Sequence, residues 1–190
     1  VSGTGISLAA GIKLPHALFI VYLIAARRIR AAIAAGATFA ATIGVGFLFA
    51  PRDSVTYWLR GRFDDVNRIS HDPLANTSVG GLVARLHGSP TLGTVAAAAV
   101  AVVAVAVAAA AYRRGQPVLA LAIVGMASAA ASPFSWSPHW VWFVPLVVHL
   151  GYRGFVAGSR ICVATMWSVC ALVGGWIVTT AGDTPQAGIM

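Results

Sequence analysis

Two stretches carry side chains able to do chemistry inside an otherwise apolar sequence. Ser132–Leu150, SPFSWSPHWVWFVPLVVHL, sets Trp136, Trp140, Trp142 and His139 between two strongly apolar runs, with Pro133 and Pro138 breaking helices on either side of a short turn. Tryptophan rings favour the depth at which lipid headgroups meet hydrocarbon. The polar groups of Ser135, Ser137 and His139 would then face out of a bilayer or into a wet cavity. Histidine, with an ordinary pKa of roughly 6.5, can donate, accept or carry charge near neutral pH, which suits a phosphate or a sugar hydroxyl. Lys13, in Gly11–Pro15, lies near the middle of an apolar run, where a cation costs about 2.5–3.5 kcal/mol to insert and usually faces a cavity. Either Lys13 is such a functional cation, or the chain breaks there and its ammonium snorkels to headgroups.

The elements that must position these groups are apolar helices. Of 190 residues, 58% are hydrophobic and 9% charged, and mean hydropathy is +0.82, which describes a polytopic membrane protein. The net charge of +8 does not indicate a nucleic-acid partner, because its arginines fall in the gaps between apolar runs. The pattern predicts an all-α bundle of about six spans, at roughly 3–26, 31–50, 91–111, 118–131, 140–151 and 161–180. Residues 51–90 form a polar loop within this single transmembrane domain of residues 1–190. In the loop, 55–63 reads as a short interfacial helix. Residues 74–88 read as an amphipathic one, capped at Asn76, Thr77 or Ser78, with Val79, Leu82, Val83 and Leu86 on one face.

Loop charges set the expected orientation. Arg27, Arg28, Arg30, Arg113, Arg114, Arg153 and Arg160 share one side without an acidic residue, and every aspartate lies on the other. The positive-inside rule makes the first side cytoplasmic, so residues 51–90 and the tryptophan rim face outward. Glycine-rich phosphate loops, nucleophile elbows and zinc spacings are missing, so no metal or cofactor is expected. Asp64 and Asp65 read as solvated loop charges. Cys162 and Cys170 stand eight residues apart in one predicted helix, about 12 Å along its axis, too far to bridge.

The order Gly11-Ile12-Lys13-Leu14-Pro15, Tyr22-Leu23, Arg27-Arg28, Pro51, Tyr57-Trp58, Asn76-Thr77-Ser78, Gly81-Leu82, Arg85-Leu86 and Ser135 to Trp142 resembles the C-terminal half of the polyprenyl-phosphate-mannose-dependent α-1,2-mannosyltransferases. These are actinobacterial membrane enzymes of GT-C architecture, and the likeness covers about residues 5–150. It implies inverting transfer of mannose from polyprenyl-phosphate-mannose, a substrate and not a cofactor, to a glycolipid or lipoglycan at the outer face of the plasma membrane. By motif, Lys13 and His139 would contact the donor phosphate, Trp136 and Trp140 would line the sugar or prenyl groove, and Asn76 with Arg85 would shape the outer-loop wall. The family's aspartate base is expected upstream of Val1, which makes this chain a fragment, inactive in isolation. Where family members often carry a second polar residue, this chain has Pro138.

Two other readings compete. A transporter or flippase subunit for a lipid-linked sugar would use Lys13 and the rim without chemistry, although no repeat relates the first three spans to the last three. A purely structural membrane protein would use its outer loop to bind a protein partner.

Overall fold

A computed structural model describes residues 17–62, 65 and 75–182. The described residues form helices and connecting turns, without a strand. Contacts divide the chain into two compact units that meet in sequence between Trp142 and Phe143.

In the first unit, α1 (Leu18–Ala25) is followed by α2 (Ile29–Phe49) and by α3 (Pro51–Ser54), which continues as a π-helical turn, Val55–Leu59. After the loop come α4 (Val79–His87), α5 (Pro90–Arg113), α6 (Pro117–Ala130) and a 3-10 segment, Ser137–Trp142. The second unit holds α7 (Phe143–Gly151), a π-helical turn (Tyr152–Val156) and α8 (Arg160–Gly182).

The helix boundaries follow local signals. Ser78 Oγ accepts the Gly81 N–H at 3.1 Å to start α4, which settles the expected cap among three neighbouring residues. Ser89 Oγ accepts the Leu92 N–H at 3.2 Å ahead of Pro90, so α5 begins with both a cap and a proline whose missing N–H costs nothing there. Gly115, at φ 74°, and Pro117 end α5 and begin α6 within a few residues.

The central feature is the pairing of α5 with α6, against which α1 packs; α4 lies along α5. Alanines dominate the buried positions, among them Ala108, Ala111, Ala120 and Ala122, around Phe19, Tyr22, Leu23 and Val124. Large apolar side chains point outward instead, as at Leu48, Phe49, Val102 and Val103. Small residues inside and large ones outside is the distribution expected when helices pack closely and the surrounding medium is itself apolar. Among the described residues, α2 and α5 are long and apolar enough to cross a membrane, whereas α6, at 14 residues, is shorter.

Leu82 and Leu86 of the α4 stripe are exposed, and α4 meets α5 through Gly80, beside Gly93. One expectation needs correction. Trp140 does not begin the fifth span, because Ser137–Trp142 is a 3-10 segment and the α-helix starts at Phe143. Pro138 explains this local choice, since it removes a backbone donor near the start of the segment.

Candidate functional site

The tryptophan rim and the cap of α4 meet through Asn76. Its Nδ2 donates to Pro133 O at 2.9 Å, and its Oδ1 accepts the N–H groups of Ser78 and Ser135, each at 3.1 Å. One amide side chain thus ties the start of α4 to a segment 59 residues further on. Thr77 doubles the tie, because its N–H and its Oγ1 both donate to Ser135 O, at 2.6 and 2.8 Å. Arg85, nearly two turns into α4, reaches back to donate to Asn76 O at 2.6 Å.

Gly81 makes this approach possible. A Cβ there would stand 2.6 Å from Asn76 O, and with backbone as the obstacle a substituted side chain could enter only by displacing Asn76.

From this node the rim side chains extend. The Trp140 indole N–H donates to Thr77 Oγ1 at 3.0 Å, so that ring is stapled to the α4 cap by its polar edge. Ser135 Oγ lies 3.1 Å from His139 Nδ1, and the Trp136 indole N–H donates to His139 Nε2 at 3.0 Å. Both ring nitrogens of His139 face donors, because the Trp136 backbone N–H also points at Nδ1, at 3.3 Å; a neutral imidazole has one accepting nitrogen, so either tautomer keeps only one of these two bonds. Protonating Nε2 would set two N–H groups against each other and release the Trp136 indole.

Beneath the rim, Trp142 packs against Phe19 with ring centroids 5.3 Å apart, and its indole lies directly over Gly125 of α6. Phe134, buried, meets Trp136 edge-on at 5.9 Å. Ser135 is wholly buried and joined to His139, contrary to the expectation that it faces water or a cavity.

Of the residues expected from sequence, the structure brings His139, Trp136, Trp140, Asn76 and Arg85 into one connected cluster. Lys13 lies outside the described residues, as does Asp64. Thr77 and Ser135 join the cluster without having been singled out as ligands; the only signal was their place inside the two quoted motifs. No group of three His, Cys, Asp or Glu side chains among the described residues is placed to hold a metal ion.

Residues 1–133 match the model of Glycosyltransferase family 87. The chain belongs to this family. It is 34% identical over 162 residues to the polyprenol-phosphate-mannose-dependent alpha-(1-2)-phosphatidylinositol mannoside mannosyltransferase of Mycobacterium tuberculosis, an alignment covering 80% of this chain and 37% of that protein. It is also 34% identical over 191 residues to the corresponding pentamannoside mannosyltransferase of Mycobacterium tuberculosis, covering 95% and 43%. The pentamannoside enzyme of Mycolicibacterium smegmatis is 31% identical over 195 residues, covering 96% and 46%. The chain thus spans less than half the length of these curated relatives. No solved structure matches it.

In this glycosyltransferase family 87 chain, the family match takes in Asn76, Thr77 and Arg85 but stops two residues short of Ser135. The hydrogen bonds from Asn76 and Thr77 join the matched region to the rim beyond it.

Proposed function

We propose that this chain is part of a membrane α-1,2-mannosyltransferase, with about six spans, that transfers mannose from polyprenyl-phosphate-mannose to a phosphatidylinositol mannoside or related lipoglycan at the outer face of the plasma membrane. The observation that carries the reading is the cluster itself: Asn76, Thr77 and Arg85 from one loop converge on His139, Trp136 and Trp140 from another. Family membership and the activities for which the relatives are named support the reaction class.

When the mannose–oxygen bond breaks, negative charge develops on the leaving phosphate, and a fixed donor in a poorly solvated place stabilises it best. His139 takes this part by directing a ring N–H to a phosphate oxygen, which displaces the Trp136 indole from Nε2. Trp140 keeps its indole N–H on Thr77 and offers only its ring face to the sugar or prenyl chain. Lys13 is the second donor to the phosphate. No aspartate of this chain is assigned as the base that takes the proton from the acceptor hydroxyl; the full-length protein is to supply it from outside this chain.

The test is transfer of labelled mannose from polyprenyl-phosphate-mannose by the full-length protein. His139→Ala and Lys13→Ala are each expected to lower the rate at least about a hundredfold while the protein still inserts. Wild-type rates in both would discard the site. Donor translocation without transfer would favour a transporter instead. Cysteine labelling in intact cells is expected to reach position 65 from outside and not position 113; the reverse would remove the outer-face assignment.

A further inference from the structure

A second feature of the first unit belongs to neither the rim nor the core. Where α2 ends, α3 and the π-helical turn border an open cavity of about 530 Å³ lined by Pro51, Arg52, Val55, Thr56 and Arg60. Its place is fixed by packing: Trp58 meets Phe39 of α2 edge-on at 5.9 Å, and Ser54 is buried against the same helix, close to Gly46. Arg52, Thr56 and Arg60 recur every fourth residue, so they share one side of the turn, and Thr56 Oγ1 is held by Arg52 O at 2.9 Å. Among the described residues, neither guanidinium has a hydrogen-bond or ion-pair partner. Flanking these lining residues in sequence, Leu48, Phe49 and Leu59 are 81%, 85% and 72% exposed.

Two unpartnered guanidiniums facing one cavity call for an anion with several acceptor oxygens, and phosphate fits their forked donors. The exposed apolar side chains that flank the lining residues call for hydrocarbon. One molecule that meets both needs is a membrane lipid with a phosphodiester head. We propose that the Arg52–Arg60 cavity binds the phosphodiester of an anionic glycerophospholipid, with Leu48, Phe49 and Leu59 against its acyl chains. The π-helical turn contributes by widening the backbone where the headgroup sits. This site is separate from the His139 cluster and needs no transfer chemistry.

The experiment titrates the delipidated full-length protein in detergent with fluorescent phosphatidylinositol and, separately, fluorescent phosphatidylcholine. Wild type is expected to bind the anionic lipid at least about tenfold more tightly, and Arg52→Gln with Arg60→Gln to abolish that preference. The paired lysine variant, which keeps the charge, should retain part of it. Equal affinity for both lipids, or a preference unchanged in the glutamine pair, overturns the proposal. So does an equal loss in Arg27→Gln, which would make the effect one of net charge. Inorganic phosphate is the competing source: if it displaces the lipid at concentrations comparable to the lipid's own, the site takes free phosphate and the lipid assignment falls. Because binding is read without transfer, His139→Ala failing to alter the mannosyl reaction would leave this result untouched, and the two readings fail separately.

Discussion

The two ends of the first unit are built from opposite materials. At one end, Arg27, Arg28, Arg30, Arg113 and Arg114 gather around the turns before α2 and after α5. Their contacts are made by long, exposed side chains: Arg28 donates to Tyr112 Oη and lies over its ring, and Arg113 donates to Ala25 O at 3.0 Å, satisfying a carbonyl at the end of α1. At the other end, short side chains make the contacts. Asn76, Thr77 and Ser135 have few rotamers to lose and form a network that includes fully buried Ser78 and Ser135. Flexible cations on a wet surface fix little geometry, and their use is to set orientation through summed charge. Short polar groups in a closed network admit one arrangement, because each unmet partner is costly. Identity is dispensable at the arginine end so long as charge remains, while at the rim it is not.

The sharpest way to break that contrast is Gly125→Val, which thrusts a branched side chain into the Trp142 indole. Denaturant titration in detergent should show a loss of about 3 kcal/mol and a changed tryptophan fluorescence; an unchanged midpoint would mean the 3-10 segment is not seated on α6. Next is Asn76→Ala, expected to cost about 2 kcal/mol by leaving the Ser135 N–H and Pro133 O without their partner. Trp140→Phe keeps the ring but loses the bond to Thr77, and about 1 kcal/mol should follow in the same assay. Smallest is Arg28→Gln, for which less than about 0.5 kcal/mol is expected. If Arg28→Gln cost as much as Asn76→Ala, the two ends would not differ in kind.

What the residues reveal on their own follows the range of the forces involved. Helix positions were legible because Ser78, Ser89, Pro90 and Pro117 act on their immediate neighbours, and α5 falls within two residues of its expected limits. The contact face of α4 was not legible: its leucine stripe pointed to a membrane surface, and only the close approach of Gly80 to Gly93 decides which side meets α5. The cluster was half legible. Trp136, Trp140 and His139 stood out by residue type and family likeness added Asn76 and Arg85, but nothing local says that Asn76 is bonded to Pro133 and Ser135, 57 and 59 residues away. Thr77 and Ser135 look like any cap or turn residues until the pairing is seen. The contact of the Trp136 indole with His139 was equally hidden, since it depends on where that N–H points.

The length of the Asn76 tie also orders events during synthesis. When Asn76 leaves the ribosome, its partners at Pro133 and Ser135 have yet to be made, and α5 and α6 must be laid down antiparallel before the two segments can meet. Until then the amide must find water or other temporary partners. The rim is thus a clasp that closes only over a finished helical hairpin, and its closure records that α5 and α6 were inserted in register.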